Sequence, residues 1–268
     1  MRSSPLPLLL PLVGLCVALR AGESPHPKIQ IPDDPGKHET AVPAPPRREI
    51  RALLGWDVHV DRALLDSTNR AVTERALALL RVQLEEIVRV VPPAAVVELR
   101  KVPLFFSPEY AGFGPRAEFH PDAGWLREHG RDPAMAEGVE FTNVRIFEEE
   151  TDRMPNFALH ELAHAYHYRV LPRGFENPEI AAVYERAKAG GLYDRVECRR
   201  GRGRPNTFER AYALTNPQEF FAENTESFFS RNDFFPFDRD ELRRHSPETF
   251  AALEKAWGVS PSTPTRGE

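Results

Sequence analysis

Residues 159–168, LHELAHAYHY, decide which fold and chemistry this chain of 268 residues can support. Asn156 can cap a helix that begins just before this stretch and runs to about residue 170, and Pro172 can end it. His160 and His164 are four residues apart, so on a helix they share one face, with about 6 Å between them. Two histidines at this spacing can bind one metal ion.

The residues around these two histidines have different expected roles. Glu161 directly follows the first histidine, so its carboxylate projects beside the ion rather than onto it. A carboxylate there can act as a general base toward water at the metal. His167 lies one turn beyond His164, too far along the helix to share the ion easily, so we expect it to pack or to support a ligand. The H-E-x-x-H pattern also arises by chance, so other segments must support it.

A second segment, RAYALTNPQEFFAENTESFF at 210–229, supplies a candidate third ligand. Asn216 can be the N-cap of a helix and Pro217 its first residue. Glu219 and Glu223 then share one face among phenylalanines, where unpaired carboxylates would be costly. We predict that Glu219 binds the metal and that Glu223 orients a ligating histidine. The alternative is that Glu219 only completes the helix cap and that the later glutamates are solvated.

The two motifs together resemble those of the catalytic domain of anthrax lethal factor and its relatives, which are gluzincin-type zinc peptidases. The matching positions are His160, Glu161, His164, Tyr212, Thr215, Asn216, Glu219, Phe220, Phe221, Ala222 and Glu223. The resemblance implies that Glu219 joins the two histidines in binding one Zn²⁺ and that Tyr212 assists catalysis. Ala213 departs from the family pattern, and substrate specificity is not implied.

The wider pattern also resembles that of uncharacterised exported bacterial metallopeptidases. It includes EFHPDAGWL at 118–126 and NDFFPFD at 232–238. Together these resemblances imply an α+β, zincin-like domain, in which a small mixed sheet packs on the H-E-x-x-H helix.

Local patterns predict the other elements of this domain. Residues 56–60 alternate like a strand, and apolar residues recur at helical spacing between 68 and 91. Residues 96–106 are predicted to form a strand, at an edge or bent at Pro103. Residues 139–147, VEFTNVRIF, are predicted to form another strand, whose exposed edge could pair with an extended substrate.

The chain divides into four predicted parts. Residues 1–21 have the charge, short apolar stretch and small-residue ending of a signal peptide, with an uncleaved membrane anchor as the alternative. Residues 22–49 contain seven prolines and few large apolar side chains, which favours a linker or tail. Residues 50–259 form the predicted catalytic domain, and residues 260–268 a disordered tail.

Composition limits the partners and the location. The net charge of -5 gives no general attraction for nucleic acid. We expect export to the periplasm or the exterior, with no stable membrane insertion after cleavage of the signal peptide. Cys198 would then be the one remaining cysteine, so no disulfide could form within the chain.

These patterns lead to the expectation of a secreted zinc endopeptidase that acts on a peptide or protein. A rival prediction is an exported binding or scaffold protein with a structural or vestigial zinc site, closed by His167 or His120 as a fourth protein ligand. A third is a zinc amidase that hydrolyses a cell-wall linkage.

Overall fold

The computed structural model describes residues 48–259, so the predicted signal peptide, most of the predicted linker and the predicted C-terminal tail lie outside it. The strands are β1 (Arg48–Leu53), β2 (Trp56–Asp61), β3 (Leu104–Phe106), β4 (Ala117–His120), β5 (Gly138–Phe141), β6 (Val196–Cys198) and β7 (Thr207–Glu209). The helices are α1 (Arg70–Val90), α2 (Pro93–Leu99), α3 (Ala123–Glu128), α4 (Phe147–Arg153), α5 (Phe157–Arg169), α6 (Pro178–Ala189), α7 (Pro217–Phe229), α8 (Arg239–His245) and α9 (Pro247–Trp257). Within these residues no helix is both long and apolar enough to cross a bilayer.

A five-stranded sheet forms one side of the core, with the strand order β1-β2-β3-β5-β4. The β1–β2 and β4–β5 pairs are antiparallel, whereas β3 runs parallel to both β2 and β5. The expectation of a small mixed sheet in an α+β protein is therefore confirmed. The first strand begins at Arg48, two residues before the predicted start of the domain.

Two strand predictions are wrong in ways that matter for the site. Most of 96–106 is not a strand, because the prolines before it begin α2. One face of this helix packs in the core through Ala95, Val96 and Leu99. Only β3 remains extended, and it lies inside the sheet rather than at an edge. Residues 139–147 contribute only β5, which is paired on both sides, so this strand cannot accept a substrate.

The sheet has two edge strands, β1 and β4, and β4 is the one that packs on α5. Its neighbour β5 binds it through the backbone: the Thr142 N–H donates to Arg116 O at 2.8 Å, and the Glu137 N–H donates to His120 O. Backbone groups alternate in direction along an antiparallel strand. The backbone groups of Ala117 and Phe119 therefore face away from the sheet, toward α5.

Helix α5 is the central element of the fold, since every side chain from Phe157 to His167 is buried. It packs on β4 and β5 on one side and on α1, α2 and α7 on the others. Leu159 and Leu162 are completely buried, and each contributes about 2 kcal/mol of apolar burial. A helix enclosed in this way needs protein partners for its polar groups, because water cannot reach them.

Helix α1 supplies the partners for the first turn of α5. Asn156 is the N-cap as predicted, and its Oδ1 accepts from the Leu159 N–H at 3.0 Å. The Asn156 Nδ2 donates to Gln83 O at 3.1 Å and to Glu86 Oε2 at 2.9 Å. Gln83 also accepts from the Ala158 N–H at 3.0 Å. These bonds fix the start of α5 against α1.

Helix α7 lies beside α5 and is fixed by its own cap and by aromatic packing. Asn216 Oδ1 accepts from the Glu219 N–H at 2.8 Å, and Pro217 begins the helix, both as predicted. Trp257 of α9 stacks on Tyr166 of α5 with 4.1 Å between ring centroids and on Phe221 of α7 with 5.8 Å. The two helices that carry the candidate site therefore share one aromatic anchor.

Replacing Asn156 with Ala should destabilise the protein by about 2 kcal/mol, because it removes a helix cap and leaves buried polar groups of α1 and α5 without a partner. Denaturant unfolding followed by circular dichroism measures the change. Asn69→Ala is the control, since the Asn69 side chain makes no capping hydrogen bond to α1 and the loss should be smaller. Equal losses in the two variants would contradict the role of Asn156.

Candidate metal centre

Three nitrogen and oxygen atoms from α5 and α7 converge at one point. The Nε2 atoms of His160 and His164 are 3.1 Å apart. Glu219 Oε2 lies 3.2 Å from His160 Nε2 and 3.3 Å from His164 Nε2. The structure therefore brings together the three side chains that were predicted to hold a metal ion, and this group could hold one.

The spacing of these atoms fits a tetrahedral metal ion. Ligand atoms about 2.0–2.2 Å from a tetrahedral zinc lie roughly 3.3 Å from one another. The three separations of 3.1, 3.2 and 3.3 Å agree with this value. Two imidazoles and one carboxylate leave the fourth position free for water or a substrate.

The protonation of His160 also calls for a positive charge at this point. His160 Nδ1 lies 2.7 Å from Glu226 Oε1, and when Glu226 is ionised it only accepts, so that Nδ1 carries the proton. The neutral ring then turns its Nε2 lone pair toward the Glu219 carboxylate, which is a second acceptor. A metal ion, or a proton shared between the ring and the carboxyl group, would make this close contact favourable.

Local charges and burial act against each other in this cluster. Burial alone would raise the pKa of Glu219, but its hydrogen bonds with His160 and His164 hold that pKa well below its usual range. Burial acts to lower the pKa of His160, yet the hydrogen bonds with Glu219 and Glu226 raise it well above the ordinary value. The site thus strongly favours a cation next to these carboxylates.

Glu161 projects toward the edge of the sheet rather than into the ligand group. Its Oε2 accepts from the Phe119 N–H of β4 at 2.8 Å, which fixes the carboxylate between the strand and the histidines. Burial raises the pKa of Glu161, and the neighbouring His160 and His164 partly oppose that rise. The Glu161 carboxylate is therefore held beside the two ligand histidines without joining their group.

Tyr212 lies near the charged groups of the cluster, in a short 3-10 turn that leads into α7. Its side chain is half-exposed. Burial of the phenol and the nearby charge of Glu219 raise its pKa to about 12. The phenol is therefore protonated at neutral pH and can donate a hydrogen bond.

Glu226, rather than Glu223, makes the hydrogen bond that was predicted to orient a ligating histidine. Glu226 Oε1 lies 2.7 Å from His160 Nδ1, whereas Glu223 Oε1 lies 3.7 Å away. Both are buried, so neither is a solvated helix residue. A helical repeat of 3.6 residues places the positions four and seven after Glu219 on the same face, and sequence spacing could not choose between them.

A buried ion pair compensates part of the negative charge behind His160. Burial raises the pKa of Glu226 to about 7, against the effect of its hydrogen bond to His160. Asp233 lies in the same region and bonds to Arg153, with Nη1 and Oδ2 2.5 Å apart. Arg153 also binds Glu150 at 2.9 Å. Arg153 thus supplies positive charge to this acidic cluster.

The two other histidines considered as ligands make different contacts. His167 is completely buried, and its ring packs 5.3 Å from that of Phe175 and 4.9 Å from that of Phe221. Neither of its ring nitrogens has a hydrogen-bond partner among residues 48–259. Burial lowers the pKa of His167 to about 4, so the ring is neutral. Its role is packing, and it supports no ligand.

His120 belongs to a separate polar group on the sheet. Its Nε2 lies 2.9 Å from Glu140 Oε2. With Glu118 these residues have the spacing of a second metal-binding group. Arg131 already supplies the cation there, with its Nη1 2.6 Å from Glu118 and 3.2 Å from Glu140.

Comparisons of the chain with protein-family models, with curated proteins and with solved structures find no significant match. The assignment of a function therefore depends on the geometry of this site and on its chemistry.

Replacing Glu226 with Gln should weaken zinc binding by about 10- to 100-fold, because the charged acceptor that orients His160 and strengthens it as a ligand is lost. Competition with a chromophoric chelator measures the affinity. Glu223→Gln is the matched control in the same buried cluster and should change the affinity much less. A larger loss in the Glu223 variant would assign the orienting role to Glu223 instead.

Proposed function

We propose that this protein is an exported zinc-dependent endopeptidase with a zincin-like catalytic domain. The convergence of His160 Nε2, His164 Nε2 and Glu219 Oε2, with separations of 3.1–3.3 Å, is the observation that carries this proposal. The proposal of export rests on residues 1–21, which have the composition of a signal peptide.

Zinc is the metal that this donor set favours. Imidazole nitrogens with one carboxylate and an open fourth position are typical of hydrolytic zinc sites. A zinc ion held there would lower the pKa of a water molecule toward neutrality and polarise the scissile carbonyl. His160, His164 and Glu219 would hold the ion, and Glu226 would fix the orientation of His160.

Glu161 acts as the general base in the proposed reaction. Its carboxylate takes a proton from the water as the oxygen attacks the carbonyl carbon of the peptide. It then delivers that proton to the nitrogen of the leaving amine as the C–N bond breaks. The hydrogen bond from the Phe119 N–H holds one of its oxygens and leaves the other available for the proton.

Tyr212 stabilises the negative charge that forms on the carbonyl oxygen. Its raised pKa of about 12 keeps the phenol protonated, so it donates a hydrogen bond to that oxygen. Its half-exposed position near the charged groups of the cluster allows it to meet a bound substrate.

The substrate pairs with β4 in this proposal. The free edge of β4 faces α5, and Phe119 connects it directly to Glu161. An extended peptide that adds to this edge would pass over the metal ligands and use the outward backbone groups that remain beside the Phe119 N–H, which is bound to Glu161.

The rival functions fit the site less well. A structural zinc site needs a fourth protein ligand, but His167 is enclosed by phenylalanine rings and His120 is bound to Glu140. An amidase acting on a non-peptide linkage would use the same zinc chemistry, and only its substrate differs.

The wild-type protein with added zinc should cleave a diverse peptide library, and Glu161→Gln should lose at least about a thousandfold in turnover while it keeps one zinc per chain. Mass spectrometry of the library and metal analysis of the protein measure the two quantities. Glu185→Gln, at an exposed carboxylate of α6, is the control and should cleave normally. Wild-type rates in the Glu161 variant would exclude Glu161 as the base, and no cleavage by any form would contradict the peptidase proposal.

Tyr212→Phe should lower kcat by about 10²–10³-fold with little change in KM or zinc content, because the lost hydrogen bond forms mainly in the transition state. Steady-state kinetics on a cleaved library peptide test this expectation. Loss of zinc from the variant would instead give Tyr212 a structural role.

A further inference from the structure

We propose that Phe119, Tyr168 and Phe175 form a subsite for a large apolar side chain, preferably aromatic, on the N-terminal side of the scissile bond. The inference rests on the proposed peptidase function, and it specifies the substrate class for that site. Three observations support it: a cavity beside α5, aromatic contacts that link the cavity to the metal ligands, and the direction of β4.

A cavity of about 610 Å³ opens at the C-terminal end of α5. Tyr168 and Phe175 line it, together with Arg169 and Arg173. Tyr168 is about one-third exposed, although it belongs to the otherwise buried central helix. An aromatic side chain exposed beside a cavity can gain free energy by packing against a ligand.

The aromatic cluster connects this cavity to the catalytic residues. The rings of Tyr168 and Phe175 have centroids 5.2 Å apart, and Phe119 lies 5.8 Å from the first and 6.3 Å from the second. Phe175 also lies 6.4 Å from the ring of His164. Phe119 donates its N–H to Glu161. A side chain bound at this cluster would therefore lie beside the ligands and the base.

The segment that carries Phe175 is held in place before any substrate binds. Gly174 has a φ of +55°, and a Cβ at this position would lie 2.7 Å from Tyr168 O. The Gly174 N–H donates to Leu171 O at 2.9 Å. Only glycine allows this close approach to the end of α5. The cavity is thus preformed, which reduces the entropy cost of binding.

For a substrate that pairs antiparallel with β4, the strand direction places this cavity on the N-terminal side of the scissile bond. Glu137 donates its N–H to His120 O at the C-terminal end of β4, and its carboxylate lies 3.7 Å from Arg169 beside the cavity. A peptide that pairs antiparallel with β4 has its N-terminal part at that end. The residues before the cleaved bond would then reach Phe175 and Tyr168.

The charges around the cavity are balanced, so they do not select a charged side chain. Arg169 pairs with Glu137 at 3.7 Å, and Arg173 pairs with Glu176 at 3.2 Å. Both pairs lie at the exposed rim, where they contribute little. Selection would therefore come from the aromatic walls.

The test is a peptide library that is digested by the wild type, Phe175→Ala and Tyr168→Ala, with Phe208→Ala as the control at an exposed phenylalanine of β7. We expect the wild type and the control to prefer Phe, Tyr, Trp or Leu within the last residues before the cleaved bond. Each subsite variant should lower kcat/KM for the preferred peptides by about tenfold, and much less for peptides with Ala there. Zinc content should not change.

A second readout does not require turnover. The Glu161→Gln protein should bind a preferred peptide uncleaved in isothermal titration calorimetry, and adding Phe175→Ala or Tyr168→Ala should weaken that binding by a similar factor. If the wild type cleaves peptides without an aromatic or apolar preference, the subsite is wrong and the peptidase proposal stands. The same conclusion follows if both variants retain the wild-type preference for these side chains. If the wild type cleaves nothing and the Glu161 variant binds nothing, both proposals are wrong.

Discussion

The burial of α5 on every side is the constraint on which the rest of the structure depends. The helix carries several ionisable side chains into a region where water cannot satisfy them, and each polar group needs a partner from a neighbouring element. Helix α1 satisfies the first turn through Asn156, and β4 satisfies Glu161 through the Phe119 N–H. Helix α7 satisfies His160 through Glu219 and Glu226 and His164 through Glu219, whereas His167 packs between phenylalanines without a polar partner among the described residues. The burial of polar groups on α5 thus explains both how the neighbouring elements pack and which side chains make up the candidate site.

The same constraint explains why a metal ion suits this interior. Carboxylates buried close together raise one another's pKa unless a positive charge lies among them, and Glu226 already has a raised pKa of about 7. Arg153 supplies such a charge through Asp233. A divalent cation held by His160 and its neighbours would supply another. A metal would therefore stabilise the fold as well as provide the chemistry.

Aromatic residues around α5 fill the core and also fix the positions of the helices that hold the candidate ligands. Trp257 joins α5 to α7, so the two helices that carry the ligand atoms cannot shift independently. Phe175 packs against His167 inside the protein and faces a cavity on its other side. This arrangement accounts for an uncharged His167 next to the site, since the ring fills space between phenylalanines and binds nothing polar.

The sequence by itself determined the helix with His160 and His164, its cap at Asn156 and the α7 cap, because these depend on spacing along one helix and on local capping chemistry. It predicted Glu219 as a third ligand, with a cap-only role as the alternative, and the structure brings Glu219 to both histidines. It also indicated a mixed α+β fold. Only the tertiary structure decided that β4 is the edge strand beside α5 and that Glu226 reaches His160. Strand order depends on long-range pairing, and two glutamates on one face of a helix differ only in what packs against them. The aromatic cavity likewise unites β4, α5 and the turn after α5, which no local pattern relates.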